Sequence, residues 1–520
     1  MAKKTGPLAD CALVLSDGDN IAVAKTDIAR SSVLEFPGGG VIVLERIPKG
    51  HRFAIKDIKK GAMIVQYGYP FGRSKGINRG ELISRDKLAS WRSDYRRLDK
   101  RPLKDFKGHG GNVAPDAGLS RTFMGYLRKD GRVGTRNFYL LVPTSLCAAD
   151  IAVKLSSEFK GGALKGYRNI DGVNAAAHTE GCGSNDGEII ERLLLTLKNT
   201  ILHPNVGGAL VIDLGCEKIG CEALSRYMGG KPRHGKPVDF ISIQALGGTG
   251  KALKKGSEII RKRLKEVNSI KRKDVPVSRL AAGTECGASD TFSGITANPV
   301  IGWVVDRLIA SGGSAILSET PEMLGAEAAL IMRMRSKKTV RKFIDGLDYY
   351  NGLARRLSVS MEGNFVAGNI KGGLLTPALK SLGAILKGGS APIVDFLGYG
   401  ETLKEQGLSI MNGPGNDLES MTGISASGAN IILFSTGMGA TEGNLTSPVI
   451  KISSTTELFE SMGDDIDFDA GRLLDEGVSM DRLGGELFEL MVDVASGKKT
   501  RAEVWDKRSF QIWSAGKLSL

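Results

Sequence analysis

The first hundred residues carry only short apolar runs. Ile21–Val23, Gly40–Leu44, Phe53–Ile55 and Met63–Tyr67 are separated by Gly, Pro or charged residues. That punctuation belongs to strands rather than helices, and residues 1–98 are expected to form a small β-rich unit. Residues 99–122 lose the apolar pattern and mix Pro, Gly and charge, which reads as a linker. From Phe123 the texture changes: buried-type apolar runs lead into Gly- or Cys-containing turns and then into helical stretches. Phe138–Pro143 leads into Thr144–Cys147 and a helix through Leu155, and Ala209–Leu214 leads into Gly215–Glu217 and a helix through Met228. Arg279–Ala282 runs into Gly283-Thr284-Glu285-Cys286, read as a turn. Ser314–Leu317 runs into Ser318–Thr320 and a helix near Ala326. Pro392–Leu397, Ser409–Met411 and Ile431–Phe434 continue the alternation. Continuous short apolar strands alternating with helices predict parallel α/β architecture. The division expected is 123–345 for a first α/β domain and 346–520 for a second.

In open parallel sheets, ligands bind beyond the carboxyl ends of the strands. Cys147, Cys182 and Cys216 fall there in this pattern, with Cys286 as a fourth. A buried Cys is usually a small hydrophobe. Four at comparable topological places, flanked by Gly, instead suit thiolates that bind a soft metal. No CxxC pair is present, so a zinc ribbon is excluded. Three thiolates can hold an iron–sulfur cluster with one open iron; a single iron with mixed His, Cys and Glu ligands is the competing picture. His178 lies four residues before Cys182. Of the other histidines, His109 falls in the linker, His203 and His234 read as surface residues, and His51 follows Gly50 in the small domain. Glu319 and Glu322 bracket a turn after a strand, and Asn416 and Asp417 close another. Such carboxylates also serve as helix caps. Asn369 lies in one of two Gly-rich turns able to hold a carboxylate through backbone N–H groups, the other being Ser435–Gly439. The turn at Leu246–Lys251 departs from phosphate-loop spacing, because Ala245 stands where the first Gly belongs.

The 520 residues are 41% hydrophobic and 25% charged, an ordinary globular composition. No run reaches the length of a membrane span, and no apolar segment follows the first lysines. Six scattered cysteines in a chain this long fit a reducing cytoplasm. The net charge of +14 raises nucleic-acid binding, with basic clusters at Arg92–Lys107 and Lys251–Lys273. No nucleic-acid motif accompanies them, so the charge is read as a basic surface that also steers a small anionic substrate.

Several motifs resemble the altronate/galactarate dehydratase family. They are Asp130–Asn137, the HTEGCG segment around Cys182, Leu214–Glu217, Glu285–Asp290 continuing through Ser293–Pro299, Pro414–Asp417 and Asp467–Gly471. Gly50–Ala54 with Tyr67-Gly68 resembles the SAF (β-clip) domain of that family. The resemblance covers nearly the whole chain. It implies an N-terminal SAF domain followed by two Rossmann-like α/β domains. It also implies an iron-dependent hydro-lyase that turns a hexonic or hexaric acid into a 2-keto-3-deoxy acid, with Mn2+ or Mg2+ ranked behind iron, and a homo-oligomer. Carried over by motif, Cys147, Cys182 and Cys216 would hold the iron. His178, Glu319 and Cys286 would be catalytic, with His178 or Glu319 as the base. His51, Ser289, Asp290, Asn369, Asn416 and Asp417 would bind substrate. Two places depart from the dehydratase pattern: Ile370 stands where a Lys is usual, and Met438 where an Arg is usual. Both resemble sulfolactate sulfo-lyase, a relative that expels sulfite but lacks counterparts of Cys147, Cys182 and Cys216. A C–S lyase and a non-catalytic sugar-acid-binding homologue are therefore the alternatives.

Overall fold

The computed structural model describes residues 5–37, 39–89, 91, 95, 121–230, 235–361 and 365–514. The expected linker, the basic cluster at Arg92–Lys107, His109 and His234 lie essentially outside them. Residues 5–89 form three small three-stranded sheets around a core that includes Leu34, Val43 and Phe53. The strands fall where the short apolar runs predict, at Ile21–Ala24, Gly39–Ile42, Arg52–Ala54 and Met63–Gln66.

Two parallel sheets follow. The first contains β1 (Phe138–Pro143), β2 (Gly172–Ala175), β3 (Val206–Asp213) and β4 (Val238–Ser242), in the order β2-β1-β3-β4. Every residue of β1 and β3 is buried, as expected of strands covered by helices on both faces. The second sheet contains β5 (Ala281–Gly287), β6 (Ser314–Leu317), β7 (Ile393–Leu397), β8 (Gly407–Met411), β9 (Ile431–Thr436), β10 (Val449–Ser453) and β11 (Phe468–Asp469). Its order is β7-β8-β6-β5-β9-β10-β11, and every neighbouring pair is parallel.

A boundary at 345/346 would cut through this second sheet. β5 and β6 precede it, yet β6 pairs with β8 and β5 with β9. A ladder of buried backbone hydrogen bonds cannot be shared between separate domains without leaving those groups unpaired. The Gly283–Cys286 turn is also corrected. These residues are the body of β5, with Glu285 opposite Phe434 and Cys286 opposite Ser435. Their polarity suggests a turn, but inside the protein Thr284 Oγ1 donates to the Ile316 carbonyl and Glu285 Oε2 accepts from Ser420.

The two sheets are bolted together by buried polar contacts. Thr135 Oγ1 donates to the Asn430 carbonyl at 2.7 Å, and the Arg136 guanidinium forks onto the Glu503 carboxylate with both bonds at 2.7 Å. His203, expected on the surface, is 1% exposed. Its Nδ1 accepts the Asn205 N–H, and its Nε2 faces the Ala429 carbonyl at 3.1 Å. It pins one sheet to the other.

Candidate active site

The carboxyl edge of the second sheet gathers an unusual concentration of buried charge. Glu285 and Cys286 end β5, and Glu319 follows β6. Asp417 opens the helix Asp417–Ala426 after β8, and Lys387 lies in the 3-10 turn Ile385–Gly388. Lys387 Nζ donates to Cys286 Sγ at 2.9 Å and to the Glu319 carboxylate. Cys286 Sγ lies 3.5 Å from Glu319 and 3.7 Å from Glu322. Lys380 Nζ, from the helix Pro377–Ala384, donates to Glu322 at 2.8 Å. Ser420 Oγ donates to Glu285 at 2.5 Å. Glu285, Glu319 and Lys387 are at most 1% exposed.

Charges removed from water this completely must be paired or neutralised. Two lysines face four carboxyls and a thiol here. Burial, followed by the repulsion of Glu319, pushes the Glu285 carboxyl well up. Burial also raises Glu319, against the pull of Lys387. The Cys286 thiol is pushed up by burial and then by Glu319. Asp417 is raised to about 7, by burial first and then by Glu319, Glu322 and Glu442. Lys387 is held well above its ordinary range, because the attraction of Cys286 and Glu319 outweighs its desolvation. Carboxyls that share protons near neutrality are suited to acid–base work.

The backbone marks the same place. Glu319 has φ 68° and Ala288 has φ 52°, both in the left-handed region. For residues with a Cβ this costs roughly 1–2 kcal/mol each. At Glu319 the bend is fixed by Thr320 N donating to the Gly413 carbonyl at 3.0 Å.

Beside this cluster lies a small cavity of about 10 Å³, room for a single water, where Tyr67, Ser289, Asp290, Ser293, Asn298 and Lys380 meet Leu374 and Leu379. Asp290 Oδ1 accepts the N–H and the hydroxyl of Ser293, both at 2.7 Å, and so shapes its own loop. A Cβ at Gly372 or Gly437 would collide with Asp290, so three loops close on that residue. Asn369 staples the same loop, its amide donating to the Ser289 carbonyl at 2.8 Å. A larger cavity of about 610 Å³ opens between the small domain and the helix Lys337–Arg356. Its walls mix Phe71, Leu88, Trp91 and Leu324 with Arg85, Glu327, Asn351 and Arg355.

The expected residues therefore divide. Cys286, Glu319 and Asp417 meet in the buried cluster, and Ser289 and Asp290 line the adjoining cavity. Asn369 belongs to the scaffold of that cavity, because its amide is engaged by the backbone. Asn416 is exposed at the helix start, and its side chain makes no cap bond. His51 is half-buried, and burial lowers its imidazole pKa. The residue beside it, Arg52, reaches further into the site. Lys387, Lys380, Glu285 and Arg52 escaped the sequence reading. The one signal for Lys387 was a single cation at the end of Ala384-Ile385-Leu386.

His178 and the three loop cysteines lie on the other sheet. His178 is 4% exposed, its Nδ1 accepts the Glu180 N–H at 3.2 Å, and its Nε2 meets the Pro143 carbonyl at 2.9 Å. Both nitrogens are engaged by backbone, so His178 holds the HTEGCG loop, which corrects its assignment as a base. Cys147, Cys182 and Cys216 are all exposed. They sit beyond β1, β2 and β3, and their loops are tied together. Glu217 accepts from Thr144, Ser145 and the backbone N–H groups of residues 214–216, and Leu146 N donates to the Glu180 carbonyl. The repulsion of Glu180 helps to raise Glu419 on the helix that Asp417 opens.

The donor sets differ in their fit to a metal. Among the described residues, two sets of ligand atoms lie within 4.8 Å of one another: Cys286 with Glu319 and Glu322, and Glu285 with Glu319 and Asp417. Lysine ammonium groups already supply positive charge to both. The three rim thiols do not form such a compact set. Three exposed thiols on tied loops are donors that either a single iron or an iron–sulfur cluster takes.

The cluster's electrostatics give a stability prediction. A carboxyl with a raised native pKa binds its proton more tightly when folded, so it costs stability as pH rises from about 4 through about 7. Asp417→Asn should therefore raise the melting temperature at pH 8 and do so much less at pH 5. Thermal melts at both pH values check this, and an equal effect at both would contradict it.

Comparison with known families agrees with this architecture. Residues 11–90 match the altronate/galactarate dehydratase SAF domain, and 125–268 match the second domain of D-galactarate dehydratase/altronate hydrolase. Residues 277–518 match the C-terminal region of D-galactarate/altronate dehydratase. An altronate dehydratase of Bacillus subtilis (strain 168) is 35% identical, the match covering 96% of this chain and 97% of the relative. One of Escherichia coli (strain K12) is 34% identical over 96% and 98%. A galactarate dehydratase (L-threo-forming) of Escherichia coli (strain K12) is 31% identical over 94% of each chain. With three consecutive domains matched and relatives aligned end to end, this chain belongs to the D-galactarate/altronate dehydratase family.

Proposed function

We propose that the protein is a hydro-lyase that removes water from a small aldonic or aldaric acid and yields a 2-keto-3-deoxy acid. The observation that carries this reading is the buried Glu319–Lys387–Cys286 cluster beside a small cavity, in a chain whose relatives are altronate and galactarate dehydratases. Dehydration of a 2,3-dihydroxy acid needs a base for the weakly acidic proton next to the carboxylate, positive charge for the enolate that forms, and help for the departing hydroxide. Glu319, with its raised pKa, is the base in this proposal. Lys380, at the cavity wall, supplies positive charge to the enolate. Asp417, raised to about 7, can return a proton. Cys147, Cys182 and Cys216 are the residues that would hold iron, and iron bound there would supply a Lewis acid for the hydroxide. Each parallel sheet with its helices is, on this reading, a Rossmann-like unit. Six free thiols suit a reducing compartment such as the cytoplasm.

The test is to purify the protein anaerobically, load it with ferrous iron, and follow 2-keto-3-deoxy acid from altronate and from galactarate. Ile370 and Met438 favour a second reading, a C–S lyase, for which sulfite released from sulfolactate is the readout. If neither product forms, both readings fall. Cys182→Ala should lose iron, by metal and sulfide analysis, and lose turnover while melting like the parent. Full iron content in that variant would remove the rim from the proposal.

A further inference from the structure

Arg52 opens the strand Arg52–Ala54 of the small domain and is 1% exposed. Its Nε donates to Gln66 Oε1 at 2.7 Å, and its Nη1 donates to Thr291 Oγ1 at 2.9 Å and to the Gly373 carbonyl at 2.5 Å. Its Nη2 meets no acceptor although it is fully buried, and the amide nitrogen of Gln66, also buried, has only the Tyr67 phenol beside it. Gln66 itself is 0% exposed. The Nε–Oε1 bond holds the two side chains that carry these donors together. The acidic groups acting on the guanidinium are Tyr67 and Asp290, and Asp290 Oδ1 is already taken by Ser293.

A buried donor left without an acceptor is costly, and more so on a cation. A charged donor of this kind, with the Gln66 amide tied to the same guanidinium, makes a place that a carboxylate fills with its two oxygens. The surroundings agree. Thr291 and Tyr67 also line the small cavity that ends at Lys380, and Lys380 leads through Glu322 to Cys286. The loop Asn369–Gly373, which carries Ile370, is gripped from below by the same guanidinium.

We propose that Arg52 and Gln66, contributed by the small β domain, receive the carboxylate of the acid substrate. This rests on the hydro-lyase reading and deepens it by naming the anchor. The acid group is held where the small domain meets the Thr291 and Gly373 loops, next to the small cavity that ends at Lys380. Activity would then require the small domain, although the acid–base groups all lie outside it.

Calorimetric titration separates this claim from the reading it rests on. The probe is altronate, with altritol, the uncharged polyol, as control. The parent should bind altronate and not altritol. Arg52→Lys keeps the charge but loses the planar fork, and should weaken altronate binding by roughly tenfold or more. Gln66→Met keeps the volume and removes the amide donor. It also strips Arg52 Nε of its acceptor, so the melting temperature should fall, and below that lower melting point altronate binding should be weakened several-fold. In turnover, both variants should raise KM with kcat nearly unchanged. Parent-like affinity in a folded Gln66→Met, or equal binding of altronate and altritol, overturns the assignment. A parent that binds altronate through Arg52 but forms no 2-keto-3-deoxy acid fails the hydro-lyase reading alone.

Discussion

Lys387→Met is expected to strip the protein of much of its stability at neutral pH. Lys387 is 1% exposed and touches both Cys286 and Glu319. Removing one member of a buried charge pair leaves the other without water or partner, which costs about 3–5 kcal/mol. Whole domains are stable by only about 5–15 kcal/mol, so urea denaturation at pH 7 should show the loss clearly. The sign with pH follows from Glu319. Without the ammonium, the carboxyl of the folded variant is pushed up further, and its proton stays on over a wider range. The penalty should shrink as the pH is lowered toward 5, where the folded carboxyl is neutral. Lys387→Arg should not restore the parent, because the planar guanidinium cannot fit a site shaped around a point charge. A Lys387→Met protein as stable as the parent at pH 7 would show that the cluster is not charged as described.

The chain's own pattern made its layers legible. Phe138–Pro143 and Ser314–Leu317 are strands at the predicted bounds, because a run buried on both faces advertises itself by uninterrupted apolar residues. β5 hid because Thr284 and Glu285 look like turn residues. Their polarity is met by groups far away in sequence, among them Ser420, 135 residues beyond Glu285. Lys387 and Arg52 were illegible for the same reason. Lysine and arginine are surface residues by default, and what makes these two special is a partner 101 and 239 residues away respectively. The HTEGCG motif was visible, but which of its side chains is chemical was not. His178 loses its candidacy only when both nitrogens are seen on backbone groups. Ile370 and Met438 looked like two separate departures, whereas the structure brings them into one place. Met438 lies over Gly368, two residues from Ile370.

Glu319→Gln is expected to lower kcat by roughly a hundredfold to ten-thousandfold with little change in KM, the range set by loss of a general base. The amide keeps the shape and can still accept from Lys387, so the fold should survive where Lys387→Met does not. With Glu319 neutral its repulsion of Glu285 and Asp417 is gone, so a remaining carboxyl ionises more readily and can compensate part of the charge on Lys387. The pH profile is the sharper readout. A base must be unprotonated to act, and burial raises Glu319 above the ordinary glutamate value. The parent's kcat should therefore rise with pH along a limb displaced upward from that value, and the variant should lose that limb. His178→Gln tests the alternative base. If His178 only holds the HTEGCG loop, its replacement should disturb iron retention at Cys182 and leave the acidic limb in place. A Glu319→Gln enzyme with the parent's kcat and the same limb would move the base elsewhere, and with it the role of the whole buried cluster.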